Sequence, residues 1–297
     1  MDGVVAIDKP SGMTSHDVVA EVRRRLGTKK VGHGGTLDPD ATGVLVVGVG
    51  RATRFLSYLQ SAPKRYRAVA RFGVSTTTQD ASGEVVATRP ARLERAQVEA
   101  ELGALTGTIE QVPPMVSAVK VGGERLYRKA RRGEEVERQA RRVTVHRLEL
   151  LDLAAGEGPE ATLDVVCSGG TYVRTLVHDL GERLGCGAHL ASLRRTEAGG
   201  WSENDLVALA QVDAGCLRPL AETVRQLPSI EVRDAEARAV ADGRPLDARP
   251  FTALAPAEAA LHDGAQVAVT TEGRLLAVYR RAGDRLVADR VVPRPDG

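Results

Sequence analysis

A chain of 297 residues, 42% hydrophobic and 27% charged, has the make-up of a soluble globular protein, with room for one large domain or a large and a small one. Its 3 cysteines, Cys167, Cys186 and Cys216, form no C-x-x-C pair, which argues against a disulfide framework or a zinc site and fits a reducing cytosol. The start "MDGVVAIDKPSGM" lacks a basic, apolar leader and no apolar run approaches the roughly 18 residues of a spanning helix, so a cytoplasmic protein without membrane contact is expected; a net charge of +2 by itself selects no partner.

In chain order, "GVVAID" reads as a short strand. Ser15 is placed to cap a helix whose Val18, Val19, Val22 and Leu26 share one face, and Gly27 ends it. The Gly-rich loop "GHGGTLDPDATG" follows, then "GVLVVGVG", an unbroken apolar run typical of a strand buried on both faces. "RYRAVARFGV" alternates as a strand and closes in the turn-like "TTTQDASG"; "LERAQVEAELGALTG" is helical by pattern. Residues 112–142 are loop-like and basic, with Pro113-Pro114 and Gly122-Gly123. Strands "VTVHRLELLDL" and "ATLDVVCS" come next, then the helix "TYVRTLVHDLGERLG", ended by Gly185. Composition changes near Leu227-Pro228, after which strand-like "AQVAVT" and "GRLLAVYR" flank the turn "TEG". Strands and helices without regular βαβ alternation point to α+β with substantial antiparallel sheet, in a large unit over residues 1–228 and a small β-rich unit over 229–297.

Charge is unevenly spread. Residues 231–297 hold 10 basic and 11 acidic side chains, whereas Lys120 to Arg147 alone hold 10 and 4. A second basic cluster is "RRRLGTKK", Arg23 to Lys30. Each run alone reads as a solvated helix face; flanking one Gly-rich acidic loop, they favour an anionic polymer as partner.

That loop admits three readings: a turn, a metal loop, or a catalytic carboxylate on a tight bend. As a calcium loop, Asp38, Asp40, Thr42 and Gly43 would fill positions 1, 3, 5 and 6, but position 12 is Val49 where a bidentate Glu is required. "GVGRAT" fails as a dinucleotide fingerprint because Thr53 stands at the third glycine. No G-x-S-x-G, H-E-x-x-H or Walker lysine occurs, so no metal or cofactor is expected. A lone carboxylate remains, with glycines at 32, 34 and 35 to let a ligand approach and Pro39 to stiffen the bend; it could serve as general base or nucleophile. On spacing alone the plain turn stands level with it.

"GHGGTLDPDATGVL" resembles the catalytic motif of the pseudouridine synthase family that includes the bacterial tRNA pseudouridine-55 synthases (TruB). "DKPSGMTSHDVV", "KRYRAVARFGVSTTTQDASG", "GTIEQVPPMVSAVKVGGERLYRKARRG", "CSGGTYVRTLVHDLGERLG" and "AHLASLRRTEAG" resemble family segments in the same order, over most of residues 3–200. The tail resembles, more loosely, a small PUA-like RNA-binding domain. The resemblance implies a largely antiparallel mixed sheet flanked by helices, and isomerisation of a uridine in the tRNA T-arm loop, with no cofactor, no obligatory protein partner and a monomeric enzyme.

It also implies roles. Asp38 is the nucleophile, at C6 of the base or C1′ of the sugar, with Asp40 shaping the loop. Tyr66 stacks on the target base, Arg174 pairs with Asp38, Tyr172 and Leu193 line the pocket, and His33 contacts substrate. Lys9 and Pro10 support the site. In the basic insert Arg125, Arg128, Lys129, Arg131 and Arg132 hold RNA phosphates, which offsets the few kcal/mol needed to extrude a base. Two alternatives stay open: a guide-RNA-dependent synthase acting with partner proteins, and a non-catalytic tRNA-binding or tRNA-folding protein.

Overall fold

The computed structural model of the chain describes residues 1–115, 120–121, 124–125, 132, 136–154, 156–249 and 262–293. β1 (Gly3–Lys9) leads into α1 (Ser15–Leu26), β2 (Val31–His33) and β3 (Thr42–Val49). α1 buries Val18, Val19 and Val22 as the periodicity requires and ends at Gly27. Its N-cap, however, is Thr14 and not Ser15: Thr14 Oγ1 accepts from the Asp17 amide while the Asp17 carboxylate accepts from the Thr14 amide. Ser15 lies one residue inside, where a different hydrogen bond claims it.

After α2 (Leu56–Ser61) come β4 (Lys64–Phe72), the hairpin β5 (Val74–Thr76) and β6 (Val85–Thr88), α3 (Arg95–Ala104) and β7 (Gly107–Gln111). The stretch read as loop contains a small ribbon, β8 (Lys120–Val121) with β9 (Glu124–Arg125). Then follow β10 (Arg141–Ala154), β11 (Glu160–Cys167), α4 (Val173–Arg183), β12 (Ala188–Ala198), β13 (Trp201–Ser202) and β14 (Leu206–Ala208).

The main sheet runs β14–β1–β3–β12–β4–β11–β10–β7. β1 with β14 and β3 with β12 are parallel, and the other neighbours on this path are antiparallel, so the sheet is mixed and largely antiparallel as expected. β3 is buried from Gly43 to Val49, which accounts for its unbroken apolar run. Leu45, Ala68, Leu163 and Val165 from the sheet centre pack with Val18 and Val22 of α1 and Leu176 and Leu180 of α4. Each fully buried leucine contributes about 1.5–3 kcal/mol, so this core fixes the loops at its edge.

A second sheet follows: β15 (Ser229–Glu231), α5 (Asp234–Ala241), β16 (Leu246–Asp247), β17 (Gln266–Thr271), β18 (Arg274–Ala282) and β19 (Arg285–Val291), in the order β15–β17–β18–β19–β16. The turn "TEG" joins β17 to β18 with Glu272 and Gly273 both at positive φ, as a two-residue hairpin requires. Ala268, Leu275 and Val278 pack against Phe55, Tyr58 and Val224, and the Tyr58 hydroxyl donates to Asp289 at 2.7 Å. Among the described residues no helix is long and apolar enough to cross a membrane.

Candidate active site

β3 carries β1 along one edge; along the other it pairs with β2 at Val47–Val49 and with β12 at Thr42 and Gly43. The chain therefore leaves β2 after His33, with the Gly34 amide still bonded to the Val46 carbonyl, loops through residues 34–41, and re-enters the sheet at Thr42 beside β12. Asp38 sits in that excursion.

Three side chains pin the loop. The buried Lys9 ammonium donates to the carbonyls of Pro10 at 2.8 Å and Pro39 at 2.7 Å, and the Gly12 amide donates to Pro39 as well. Ser15 Oγ accepts from the Leu37 amide at 2.9 Å and donates to the Leu37 carbonyl at 3.1 Å, which is why Ser15 does not cap α1. Arg195, 2% exposed, reaches the carbonyls of Val44, Thr36 and Gly35. Lys9, one of the residues expected near the site, thus ties the loop at Pro39 and also bonds the Pro10 carbonyl; the contacts of Arg195 and Ser15 were not foreseen. A signal for Arg195 existed: of two adjacent arginines in a strand, Arg194 and Arg195, one must face the interior.

The loop glycines divide. A Cβ on Gly34 would stand 2.8 Å from Leu59 and one on Gly32 3.1 Å from Leu56, so these two are small to admit α2 and not a ligand. Gly43, at φ 94°, would bring a Cβ 2.2 Å from the Arg195 carbonyl where β3 meets β12.

Asp38 opens into a recess of about 370 Å³. Tyr66 from β4, Leu193 and Arg195 from β12, Tyr172 and Arg174 from the start of α4, and His33 from the end of β2 line the same recess. All the recess residues expected from the sequence are brought together. Tyr172 is held through its backbone by the buried Gln111 amide, which accepts from the Tyr172 amide at 2.8 Å and donates to its carbonyl at 3.0 Å. Gln111 is a second residue the sequence did not single out.

Arg174 is buried, although a helix-surface position is the commoner place for an arginine. Its guanidinium stands 3.5 Å from Asp38 and 5.9 Å from the centre of the Tyr172 ring. A closer partner, Asp80, meets it at 3.0 Å. Asp80 Oδ1 accepts from the Thr78 and Ser82 hydroxyls, both at 2.6 Å, and from the Ser82 amide. Preceding it, Gln79 adopts a positive φ of 65°, bonding Leu190 through its carbonyl and Thr175 through its side chain. The strained turn "TTTQDASG" thus docks on α4 and β12 to present a carboxylate to Arg174.

Electrostatics follow from this enclosure. Burial pushes the Asp38 carboxyl above its ordinary value; Arg174 pulls it down, and nearby Asp80 pushes it further up. Asp38 is nonetheless open toward the recess, with 44% of its side chain accessible, so its surroundings are crowded without sealing it. Burial also works against the Asp80 charge, but the Ser82 and Thr78 hydroxyls and Arg174 outweigh it and its carboxyl stays low. Burial raises the Tyr66 phenol, which therefore stays protonated at neutral pH. Lys64, whose ammonium bonds the Gln60 and Ala62 carbonyls at the recess wall, is lowered to about 8 by burial and by Arg195. His33 is lowered to about 4 by burial and the neighbouring His16 ring, so it is neutral in the cell's pH range. Its Nδ1 accepts from the Gly35 amide, leaving the Nε2 hydrogen for a ligand.

Of the basic insert, Arg128, Lys129 and Arg131 lie outside the described residues, Arg125 is placed by its backbone in β9, and Arg132 is exposed in a turn.

Residues 23–173 match the TruB family pseudouridylate synthase (N terminal domain), and residues 174–229 the tRNA pseudouridylate synthase B C-terminal domain. The tRNA pseudouridine synthase B of Symbiobacterium thermophilum is 54% identical over 246 residues, 82% of each chain. That of Corynebacterium aurimucosum is 45% identical over 298 residues, 99% of this chain and 96% of its own. Among solved structures, a Cbf5-Nop10-Gar1 complex contains a chain 27% identical, with a TM-score of 0.74, covering 98% of this chain and 85% of that one. The order of motifs, the mixed sheet and these likenesses agree, and the chain belongs to the TruB family of pseudouridine synthases.

Proposed function

We propose that the protein isomerises the uridine at position 55 of the tRNA T-arm loop to pseudouridine, with Asp38 as nucleophile. One observation carries this reading. The Asp38 loop is tied down by Lys9, Ser15 and Arg195, yet its carboxylate stands open in a recess that also holds a tyrosine ring, a leucine and a buried arginine. Such an arrangement positions a nucleophile against a flat, extruded base.

Asp38 attacks the nucleotide, at C6 or C1′, and the N1–C1′ bond breaks. The freed base turns and C5 bonds to C1′; the C5 proton is lost and N1 gains one, so product is an isomer of substrate and no co-reactant is consumed. Tyr66 stacks on the base, worth about 1–3 kcal/mol, and as a neutral phenol it offers a hydroxyl near C5. Arg174 orients Asp38 and stabilises its charge in a poorly hydrated site. Tyr172 and Leu193 shape the pocket, and His33 contacts the RNA as a neutral ring.

Residues 1–228 then form the catalytic unit and 229–297 a PUA-like RNA-binding unit, with the insert at 112–142, including Arg125, Arg128, Lys129, Arg131 and Arg132, holding the T stem-loop. In this reading the enzyme acts in the cytoplasm as a monomer. Relatives called tRNA pseudouridine synthase B favour a stand-alone enzyme over a guide-dependent one.

The test uses T-arm RNA carrying tritium at uridine C5, mixed with purified wild type and with Asp38→Asn. Tritium release by wild type alone, with no guide or partner, supports the proposal. Tight binding without release would leave the guide-dependent and RNA-folding readings, and undiminished release by the variant would remove Asp38 from the chemistry.

A further inference from the structure

Gln111 ends β7 on the side of the strand that faces the core: Ile109, two residues earlier, packs against that core, and Gln111 is buried. A primary amide in such a place is costly unless its oxygen and its nitrogen both find partners. Both go to one residue of the recess, since Oε1 accepts from the Tyr172 amide at 2.8 Å and Nε2 donates to the Tyr172 carbonyl at 3.0 Å. An apolar side chain of similar shape would fill the same space. What it would lack is a donor and an acceptor in one plane, matched to the N–H and C=O of a single residue.

Tyr172 needs a hold from outside its own segment. It is the N-cap of α4, a position that Ser, Thr, Asp or Asn usually fixes from within, and its side chain makes no capping bond. Its carbonyl accepts from the Thr175 and Leu176 amides, both at 3.1 Å, so the first turn of the helix, Arg174 included, hangs from this residue. Leu176 and Leu180 fix α4 as a body against the core; Gln111 fixes where the helix begins. We propose that Gln111 is a positioning residue for the reaction: its amide sets the Tyr172 backbone, and through it the Tyr172 ring in the recess and the Arg174 guanidinium 3.5 Å from Asp38. Gln111 does not itself line the recess, so it acts through Tyr172 and not on the RNA. The inference rests on Asp38 acting on a nucleotide in that recess.

Full-length wild type, Gln111→Leu and Gln111→Glu are compared on T-arm RNA carrying tritium at uridine C5. Single-turnover release at saturating RNA is followed from about pH 5 to about pH 9, beside the RNA Kd and thermal unfolding. A protonated glutamic acid keeps the shape, the acceptor and the donor of the amide; ionised, it loses the donor and turns a negative oxygen on the Tyr172 carbonyl. Burial raises such a carboxyl, which brings its change of state into the pH series. Gln111→Leu is expected to react about 10–100-fold more slowly at every pH, with a Kd within about twofold of wild type. The Gln111→Glu rate, taken as a ratio to wild type at each pH so that the ionisation of Asp38 cancels, is expected to approach wild type in acid and to fall to the Gln111→Leu level in alkali. A glutamine that serves the fold alone would lower Tm and leave both rates at wild type, which would overturn the proposal. So would a raised Kd without a slower rate, or a Gln111→Glu ratio that does not change with pH. No release from wild type would instead sink the functional reading on which this one rests.

Discussion

Asp80 meets one terminal nitrogen of Arg174 at 3.0 Å, leaving the other for Asp38 at 3.5 Å. Arg174 is buried, so removing the charge of Asp80 weakens the compensation of its own charge and loosens the end of the fork that Asp80 holds. Asp80→Asn keeps an oxygen for Thr78 and Ser82 but removes the charge. Losing one charge-assisted hydrogen bond of about 1.5–3 kcal/mol corresponds to a fall in kcat of about 10–100-fold. RNA affinity should change little, because Asp80 does not line the recess. A variant whose KM rises while kcat holds would remove Asp80 from the positioning of Arg174.

Asp38→Asn should separate activity from stability. As the proposed nucleophile, Asp38 is expected to carry at least about 10⁴ in rate. Its carboxyl is raised by burial, so its contribution to stability is fully present below its unfolded value and is lost as pH rises through the folded one; at neutral pH its charge is a burden on the fold. The asparagine variant should therefore melt at or above wild type at pH 7, with the gap closing as pH falls and the wild-type carboxyl protonates. Thermal unfolding at pH 7 and pH 4 checks this. A large drop in Tm at pH 7 would mean that the ion pair with Arg174 outweighs the burial of Asp38.

How much of this was legible in advance depends on the range of the interactions involved. α1, β3, β4 and α4 follow from local periodicity, because each buries one face or both against the same core. Residues drawn from resembling motifs converge on one recess. What the sequence concealed is long-range. Asp80 meets Arg174 across 94 positions, Gln111 meets Tyr172 across 61, and Arg195 reaches the Asp38 loop across about 160. Ser15 and Thr14 are both good caps, and only the position of Leu37 decides between them. The glycines at 32 and 34 looked like room for a ligand, but they make room for Leu56 and Leu59 of α2.

His33 offers a test by pH. Its value of about 4 means that the ring is uncharged throughout the neutral range, so no imidazole ionisation should appear in kcat near pH 6.5. The lowered value also signs its stability effect: the neutral ring favours the fold above the unfolded value, and that contribution is lost as pH falls from about 6.5 toward 4. His33→Ala should raise the Kd for stem-loop RNA and flatten that acid-side decline, while the rate at saturating RNA changes by less than about tenfold. A bell-shaped kcat profile that loses one limb in His33→Ala would instead make the histidine an acid or base in the reaction.

Two glycines predict opposite effects of the same substitution. Gly43 sits at φ 94° with the Arg195 carbonyl 2.2 Å from where a Cβ would stand. That contact is backbone on backbone, at the junction of β3 and β12 that fixes the re-entry of the Asp38 loop. Gly43→Ala has no side chain to push aside, so it must spread the two strands; a loss of about 3 kcal/mol or more is expected, with activity falling alongside. Gly103, on the exposed face of α3, has nothing within 4 Å of its Cβ position and carries no positive φ. Gly103→Ala should stabilise the protein by about 0.5–1 kcal/mol through helix propensity and a less disordered unfolded chain, leaving activity untouched. Denaturant unfolding of the two variants beside wild type reads both signs in one experiment. Equal midpoints for Gly43→Ala and wild type would show that the β3–β12 junction yields, and that the Asp38 loop is less firmly set than its hydrogen bonds suggest.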